Sequence, residues 1–383
     1  MPRVVPSEKR QVEILTFKRF SLQLITMAKV QVIGAGPAGS VSAITAARNG
    51  HKVSLSEQHK KCGAPVNCSG LFSKEGLDAL RDVINYRKFI VNDMWGADIH
   101  FADELLLVRS NKTIGYVCDR GAFDAELAST AELEGVRMNY GEKVNEDFKY
   151  SNIIGADGPN SQVAKYFKMG KIPRVVSTMR GMAKYNSGDK HIVQVFLSSS
   201  KFPGFFGWII PHDEENAEFG VGVELPNDVQ AAWKHLLKLK NIKEDVPVKS
   251  AIIPISTREK TAMKVGKKNI VLVGDAAGHV KATSGGGVVF GSLCAKLAGQ
   301  HCTSPLRYDF EWRMRFGTDL RLHRMVRDFL NWKSDSQLRA FGRKLRQLRF
   351  DEYLSKNGSM DRPSKMIKPQ MLLHLMKNIA GDD

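Results

Sequence analysis

The stretch Lys29-Val30-Gln31-Val32-Ile33-Gly34-Ala35-Gly36-Pro37-Ala38-Gly39 decides the fold. Lys29 to Ile33 is a short β-branched run of the kind that forms a buried parallel strand. A glycine turn follows, and the small residues of Ser40 to Arg48 predict a helix ending near Gly50. Gly34 permits the tight turn, Gly36 lets the backbone approach a pyrophosphate, and Gly39 allows helix and strand to pack closely. Unpaired N–H groups and a partial positive charge at the helix start favour phosphate. The next strand, Lys52 to Ser56, ends at Glu57, where a carboxylate can accept hydrogen bonds from the hydroxyls of an unphosphorylated ribose. A glycine triplet alone says little, but strand, turn, helix, strand and acid in this order predict a dinucleotide site in a Rossmann-type unit.

Working outward, the pattern changes between about Val175 and Leu225. The runs His191 to Leu197, Phe206 to Ile210 and Glu218 to Val223, separated by Asn, Gly, Asp and Pro, predict antiparallel strands of a separate sheet. Asn227 to Lys240 reads as a capped amphipathic helix. Asn269 to Val273 is another buried strand, followed by a glycine-rich loop and a helix, so the dinucleotide fold is interrupted and resumed. From Pro305 onward Arg, Leu, Phe and Trp recur at helical spacing, as in Phe341, Leu345 and Leu348. The expected architecture is α/β. A discontinuous Rossmann-type domain takes residues 28–84, 112–165 and 263–304, an antiparallel-sheet substrate domain takes 85–111 and 166–262, and a helical lobe takes 305–383. Residues 1–27 read as a disordered extension or a misassigned start, because Met27 stands where the first strand should begin. Lys9, Arg10, Lys18 and Arg19 precede an apolar run too broken for a signal peptide.

Composition narrows the classes. A chain of 383 residues can bury two or three lobes without disulfides. No uninterrupted apolar stretch reaches the roughly 18 residues of a membrane span. Five cysteines, odd in number and widely spaced, do not form a disulfide framework, which points to a reducing, cytoplasmic setting. Cys62 and Cys68 lack Cys-x-x-Cys spacing and have no second cluster, so no metal site is expected. The net charge of +17 attracts anions, whether nucleic acid, an anionic bilayer or a phosphorylated substrate. No readable nucleic-acid module is present, so nucleic acid is not an expected partner.

Further motifs carry a resemblance. Ile153-Ile154-Gly155-Ala156-Asp157-Gly158-Pro159-Asn160-Ser161 resembles the Asp-Gly motif of the flavoprotein hydroxylase superfamily. Val271-Leu272-Val273-Gly274-Asp275-Ala276-Ala277-Gly278 is similar to that superfamily's second FAD motif, whose aspartate meets the flavin ribityl chain. On its own terms, Asp275 is a carboxylate at a strand end beside small residues, and the bland alternative is a helix N-cap. Pro65-Val66-Asn67-Cys68-Ser69-Gly70 resembles the Pro-x-x-Cys-Gly segment of the geranylgeranyl reductase family. His279 to Gly291, with Gly285-Gly286-Gly287, resembles its Thr-Ser-Gly-Gly-Gly loop, and Pro203 to Pro211 its aromatic-x-Trp-x-Phe-Pro substrate motif. These matches run in family order over residues 28 to 300. Ser69 stands where the family usually has Gly, Phe206 where it has Tyr, and Ile210 where it has Phe.

The resemblance implies FAD held by Gly34, Gly36, Ala38, Gly39, Glu57, Cys68, Ser69, Arg120, Val144, Asp157, Asp275, Gly287 and Val288. Cys68 would be a proton donor or a cavity wall; a free cysteine is otherwise more often a small buried hydrophobe. Arg120 opens a helix and offers a planar fork to phosphate or flavin oxygen, with a plain surface arginine as the alternative. Phe206 and Trp208 would line a prenyl-chain site, although an aromatic cluster on a strand is more often core. The implied activity is FAD-dependent saturation of carbon–carbon double bonds in geranylgeranyl chains of archaeal-type phospholipids, or of geranylgeranyl diphosphate or a chlorophyll-type side chain. Its electrons would come from a ferredoxin, NAD(P)H or another donor protein. A flavin monooxygenase shares both FAD motifs. Electron-transfer flavoprotein–quinone oxidoreductases do too, but they carry a cysteine-ligated cluster, and no cysteine follows Cys302. Arg339, Arg343, Lys344, Arg346 and Arg349 interleave with Leu and Phe, which suggests peripheral contact with an anionic membrane or else a solvated basic helix.

Overall fold

In a computed structural model, residues 27–366 apart from Glu244 are described; the expected N-terminal extension up to residue 26 and the last part of the expected helical lobe, 367–383, lie outside them. The β-branched run Lys29–Ile33 pairs in parallel with Lys52–Glu57 on one side and Asn152–Gly155 on the other. It is therefore an interior strand of a six-stranded sheet, whose order is Ala262–Val265, Lys268–Leu272, Asn152–Gly155, Lys29–Ile33, Lys52–Glu57, Arg137–Tyr140. Only the edge pair Ala262–Val265 with Lys268–Leu272 is antiparallel. Val30, Val32, Ile154, Ile270 and Val271 are fully buried, as strands covered on both faces require. The first helix spans Pro37–Arg48, starting at the proline rather than at Ser40, because proline's missing N–H costs nothing in a helix's first turn.

The second sheet has seven strands, in the order Lys249–Pro254, Val175–Lys184, Asn216–Glu224, Gly207–Pro211, Ile192–Leu197, Gly96–Phe101, Glu104–Arg109. It was expected to be antiparallel; it is mixed, since Ile192–Leu197 runs parallel to Gly96–Phe101. Hydrophobic alternation reports which face a strand buries and not its direction. Ile90–Met94 joins a separate three-stranded sheet with Leu71–Ser73 and Gly115–Cys118, so the large sheet begins at Gly96 rather than near residue 85. Alternation divides the large sheet's two faces. Ile209, Phe219, Val221 and Val223 pack under the helix Val229–Leu239 with Trp233, Leu236 and Leu237. Trp208 and Ile210 point to the other side, with Phe205 and Phe206.

Four helices end the described residues: Pro305–Asn331, Asp335–Gln347, Phe350–Asn357 and Pro363–Met366. The first fastens to the six-stranded sheet, where the Tyr308 hydroxyl donates to the Leu272 carbonyl at 2.6 Å. The second opens with a capping box between Ser334 and Gln337. Its Leu338 and Leu345 are buried with Phe101 in the large sheet's core. Arg339 pairs with Asp103, and Arg343 and Arg346 with Glu104. The apolar side of this basic helix is thus spent on the protein itself, and only its basic side meets solvent.

Candidate active site

A cavity of about 1590 Å³ lies across the carboxyl ends of the parallel strands and continues onto the face of the mixed sheet. Gly34, Glu57, Asp157 and Asp275, each just beyond or at the end of its strand, line one part of it; Phe205, Phe206, Trp208 and Ile210 line another.

The three glycines of the fingerprint meet different surroundings. Gly34 has φ +95°, and a Cβ there would lie 2.5 Å from the Ala156 carbonyl oxygen. At Gly39 a Cβ would lie 1.8 Å from the Gly34 oxygen, so this glycine sets the approach of helix to turn. At Gly36 a Cβ would meet nothing within 4 Å, and the residue faces the cavity. Ala38 lines the cavity beside Gly274. Glu57 accepts from the Ala35 N–H at 2.8 Å and from the His59 N–H at 3.0 Å, so the acid braces the turn as well as facing the cavity. Val144 lies on the same wall.

Beside the N-cap Ser161, Asp157 accepts from the first two N–H groups of the helix Gln162–Tyr166, Gln162 at 2.6 Å and Val163 at 3.1 Å. Its other oxygen is buried without a partner among the described residues. Burial pushes the Asp275 carboxyl up to about 6, against the opposing charge of Arg120. Gly287 closes on Asp275 so tightly that a Cβ would lie 2.9 Å from its oxygen, and Val288 then begins a helix whose N-terminus has no side-chain cap. Arg120 is buried, donates through both arms of its fork to Asp124 at 3.0 and 2.8 Å, and sits beside Cys68. Burial opposes its charge, but Cys68 and Asp124 more than offset this and raise its pKa. Cys68 and Ser69 line the cavity next to it. Three residues singled out from separate stretches, Cys68, Arg120 and Asp275, are thus neighbours.

These features fit FAD. Gly36 is an open cradle, the partnerless Asp157 oxygen awaits a donor, Asp275 faces the cavity, and the helix from Val288 starts at the cavity wall with no side-chain cap on its first N–H groups, the kind of terminus that suits an anionic oxygen.

The family model for glucose inhibited division protein A matches residues 29–82, the stretch holding the glycine turn, Glu57 and Cys68. An uncharacterized protein of Methanocaldococcus jannaschii is 28% identical over 88% of this chain and 93% of its own. The digeranylgeranylglycerophospholipid reductase of Methanothrix thermoacetophila is 27% identical over 81% of this chain and 89% of its own. The chain is related to the digeranylgeranylglycerophospholipid reductases. A geranylgeranyl bacteriochlorophyll reductase-like protein from Thermoplasma acidophilum shares the fold, with a TM-score of 0.76 at 20% identity over 93% of this chain and 99% of that one. The relationship read from the motifs is met, and it extends beyond residue 300, where sequence showed only helical character.

Some cavity residues escaped the sequence reading. Thr178 and Arg180 enter from the mixed sheet, and Leu354, Met360 and Met366 from the C-terminal segment. Lys281 lines the cavity and forms a buried pair with Asp361 at 2.7 Å. Asp361 also accepts from Ser73, and the His323 ring bridges its carbonyl at 3.2 Å and Thr283 at 2.7 Å. The position of Lys281 inside the quoted glycine loop was the one available signal.

Proposed function

We propose that this protein is an FAD-dependent reductase that saturates carbon–carbon double bonds in geranylgeranyl chains of membrane phospholipids. The observation that carries this reading is one cavity shared by the dinucleotide-facing residues and an aromatic wall of Phe205, Phe206 and Trp208, in a chain related to such reductases. Gly34, Gly36, Ala38 and Gly39 would hold the pyrophosphate, Glu57 and Val144 the adenosine end, and Asp157 and Asp275 the ribityl side. Arg120, Ser69, Gly287 and Val288 would meet the flavin end. Reduced FAD, when bound, supplies a hydride.

Saturating one bond breaks its π component and forms two C–H bonds, one from hydride and one from a proton. The two electrons come from an external reductant, a ferredoxin or NAD(P)H. Phe205, Phe206 and Trp208 exclude water and hold the alkene in one orientation, which matters because an isolated alkene is a poor hydride acceptor. Cys68 lines the cavity beside Arg120 and is placed to hand the alkene its proton. Among the described residues no helix is long and apolar enough to cross a membrane, and we infer that the protein meets its lipid at the bilayer surface.

Anaerobic photoreduction of the holoprotein followed by mixing with a geranylgeranylated phospholipid tests the reading. Flavin reoxidation should accompany a product heavier by two hydrogens for each bond reduced. Reoxidation only by oxygen, with a hydroxylated product, would make the protein a monooxygenase instead.

A further inference from the structure

We infer that Arg180 and Glu218 are positioning residues for this reaction, a buried clamp that holds the Cys68 segment at a set distance from Trp208. The inference rests on the reading that Cys68 and Trp208 face the substrate.

Arg180 lies on the strand Val175–Lys184 and Glu218 on its antiparallel neighbour Asn216–Glu224. Met182 stands opposite Glu218 and Arg180 opposite Gly220, so Arg180 and Glu218 are diagonal neighbours on one face, the face that carries Trp208. Their side chains form an ion pair and are only 13% and 2% exposed. The second arm of the guanidinium donates to the Val66 carbonyl at 2.7 Å, two residues before Cys68. The other Glu218 oxygen lies 3.3 Å from the Trp208 indole nitrogen and accepts its N–H. The indole fits there because residue 220 has no side chain; a Cβ on Gly220 would lie 2.1 Å from the ring. One unbroken polar chain therefore runs from Val66 through Arg180 and Glu218 to Trp208.

A buried ion pair seldom adds stability over an apolar pair of equal size, because desolvating two charges cancels most of the attraction. Here its geometric effect is specific. The segment of Pro65 to Gly70 has no strand pairing of its own, and Arg180 ties it to the substrate sheet. Loss of the clamp leaves FAD's main contacts in place while the proton-holding thiol drifts from the aromatic wall.

The test compares holoprotein of wild type, Arg180→Gln and Glu218→Gln. For Arg180→Gln, kcat should fall by about 100-fold, the effect of a misplacement near 1 Å, with KM nearly unchanged. N-ethylmaleimide should alkylate Cys68 faster, read by peptide mass mapping, while alkylation of half-buried Cys62 keeps its rate as the internal control. Glu218→Gln should move both quantities the same way by less. If wild type reduces no prenyl lipid, the functional reading fails, yet the alkylation rates still judge the clamp. Unchanged Cys68 alkylation in the folded variants overturns it. Unfolding of both variants also overturns it, since the pair would then serve stability rather than position.

Discussion

Gly36 and Gly39 lie three residues apart, one capping the first helix and the other inside it, and the space around each assigns them opposite roles. Gly36 has φ −65° and ψ 176°, a conformation open to any residue, and the space beside it is empty. Gly36→Ala should leave the melting of the FAD-free protein unchanged within about 0.5 kcal/mol. Its methyl would occupy the pyrophosphate's approach, so FAD affinity, followed by flavin fluorescence on titration, should fall at least about tenfold, or 1.4 kcal/mol. Gly39→Ala should instead destabilise the fold by about 1–3 kcal/mol or more, since its Cβ must push the Gly34 oxygen away. Equal effects of the two substitutions on stability would contradict the division. Asp275 adds a pH signature. Its pKa rises from 3.8 in the unfolded chain to about 6 in the fold, mainly by desolvation. Between these values the unfolded chain releases the proton first, so stability is lost as pH rises through this window. The melting free energy of wild type minus that of Asp275→Asn, both without FAD, should therefore fall by on the order of 2–3 kcal/mol from pH 4 to pH 7. A flat difference would show that the carboxyl is well solvated.

At the scale of elements, the C-terminal segment is latched to the glycine loop by the buried pair of Lys281 and Asp361. Asp361→Ala would leave an ammonium buried without its partner and should cost about 3–5 kcal/mol in urea melts, whereas replacing both residues by apolar ones should cost less. Acid should loosen the same latch. Burial works against the Asp361 carboxylate, but Lys281 and Ser73 hold its pKa below the ordinary value; burial pushes His323 from 6.5 down to about 4. Both groups lose stabilisation as pH falls, His323 through the window from 6.5 to about 4 and Asp361 below it. Hydrogen exchange in residues 358–366 should therefore accelerate toward acid beyond its intrinsic chemistry. Protection that holds steady to pH 4 would argue against it. This latch also marks where sequence ceases to be legible. The glycine turn and the Asp275 segment were readable because strand end, turn and helix start fall within about ten residues of one another. Lys281 and Asp361 stand 80 residues apart and are two ordinary charged side chains until the fold buries them together. The clamp of Arg180 and Glu218 was hidden for the same reason, and the parallel pairing of Ile192–Leu197 because alternation carries no direction.

For the whole molecule, a net charge of +17 must be reconciled with the proposed lipid substrate. The basic helix Asp335–Gln347 has no apolar side left to offer a bilayer, since Leu338 and Leu345 are core. A regular row of exposed apolar residues lies instead on the long helix Pro305–Asn331, where Leu306, Phe310 and Met314 recur every four residues at 75%, 64% and 68% exposure. Arg307 and Arg315 flank them, and Glu311, which pairs with both, neutralises part of that charge. Apolar groups set among arginines are the composition of a helix that lies in the headgroup region rather than crossing it. Each basic residue near an anionic surface contributes about 1 kcal/mol, and this attraction is screened once the Debye length drops to about 10 Å at 0.1 M salt. Insertion of apolar groups, on the proposed membrane contact, would not be screened. Vesicles containing anionic lipid should therefore co-sediment with the protein strongly at low salt and weakly at high salt, while neutral vesicles should bind weakly throughout. Replacing Phe310 and Met314 by serine should remove the binding that survives high salt and leave the salt-sensitive part in place. If the double variant binds as wild type does at every salt concentration, this helix is not the surface that meets the membrane.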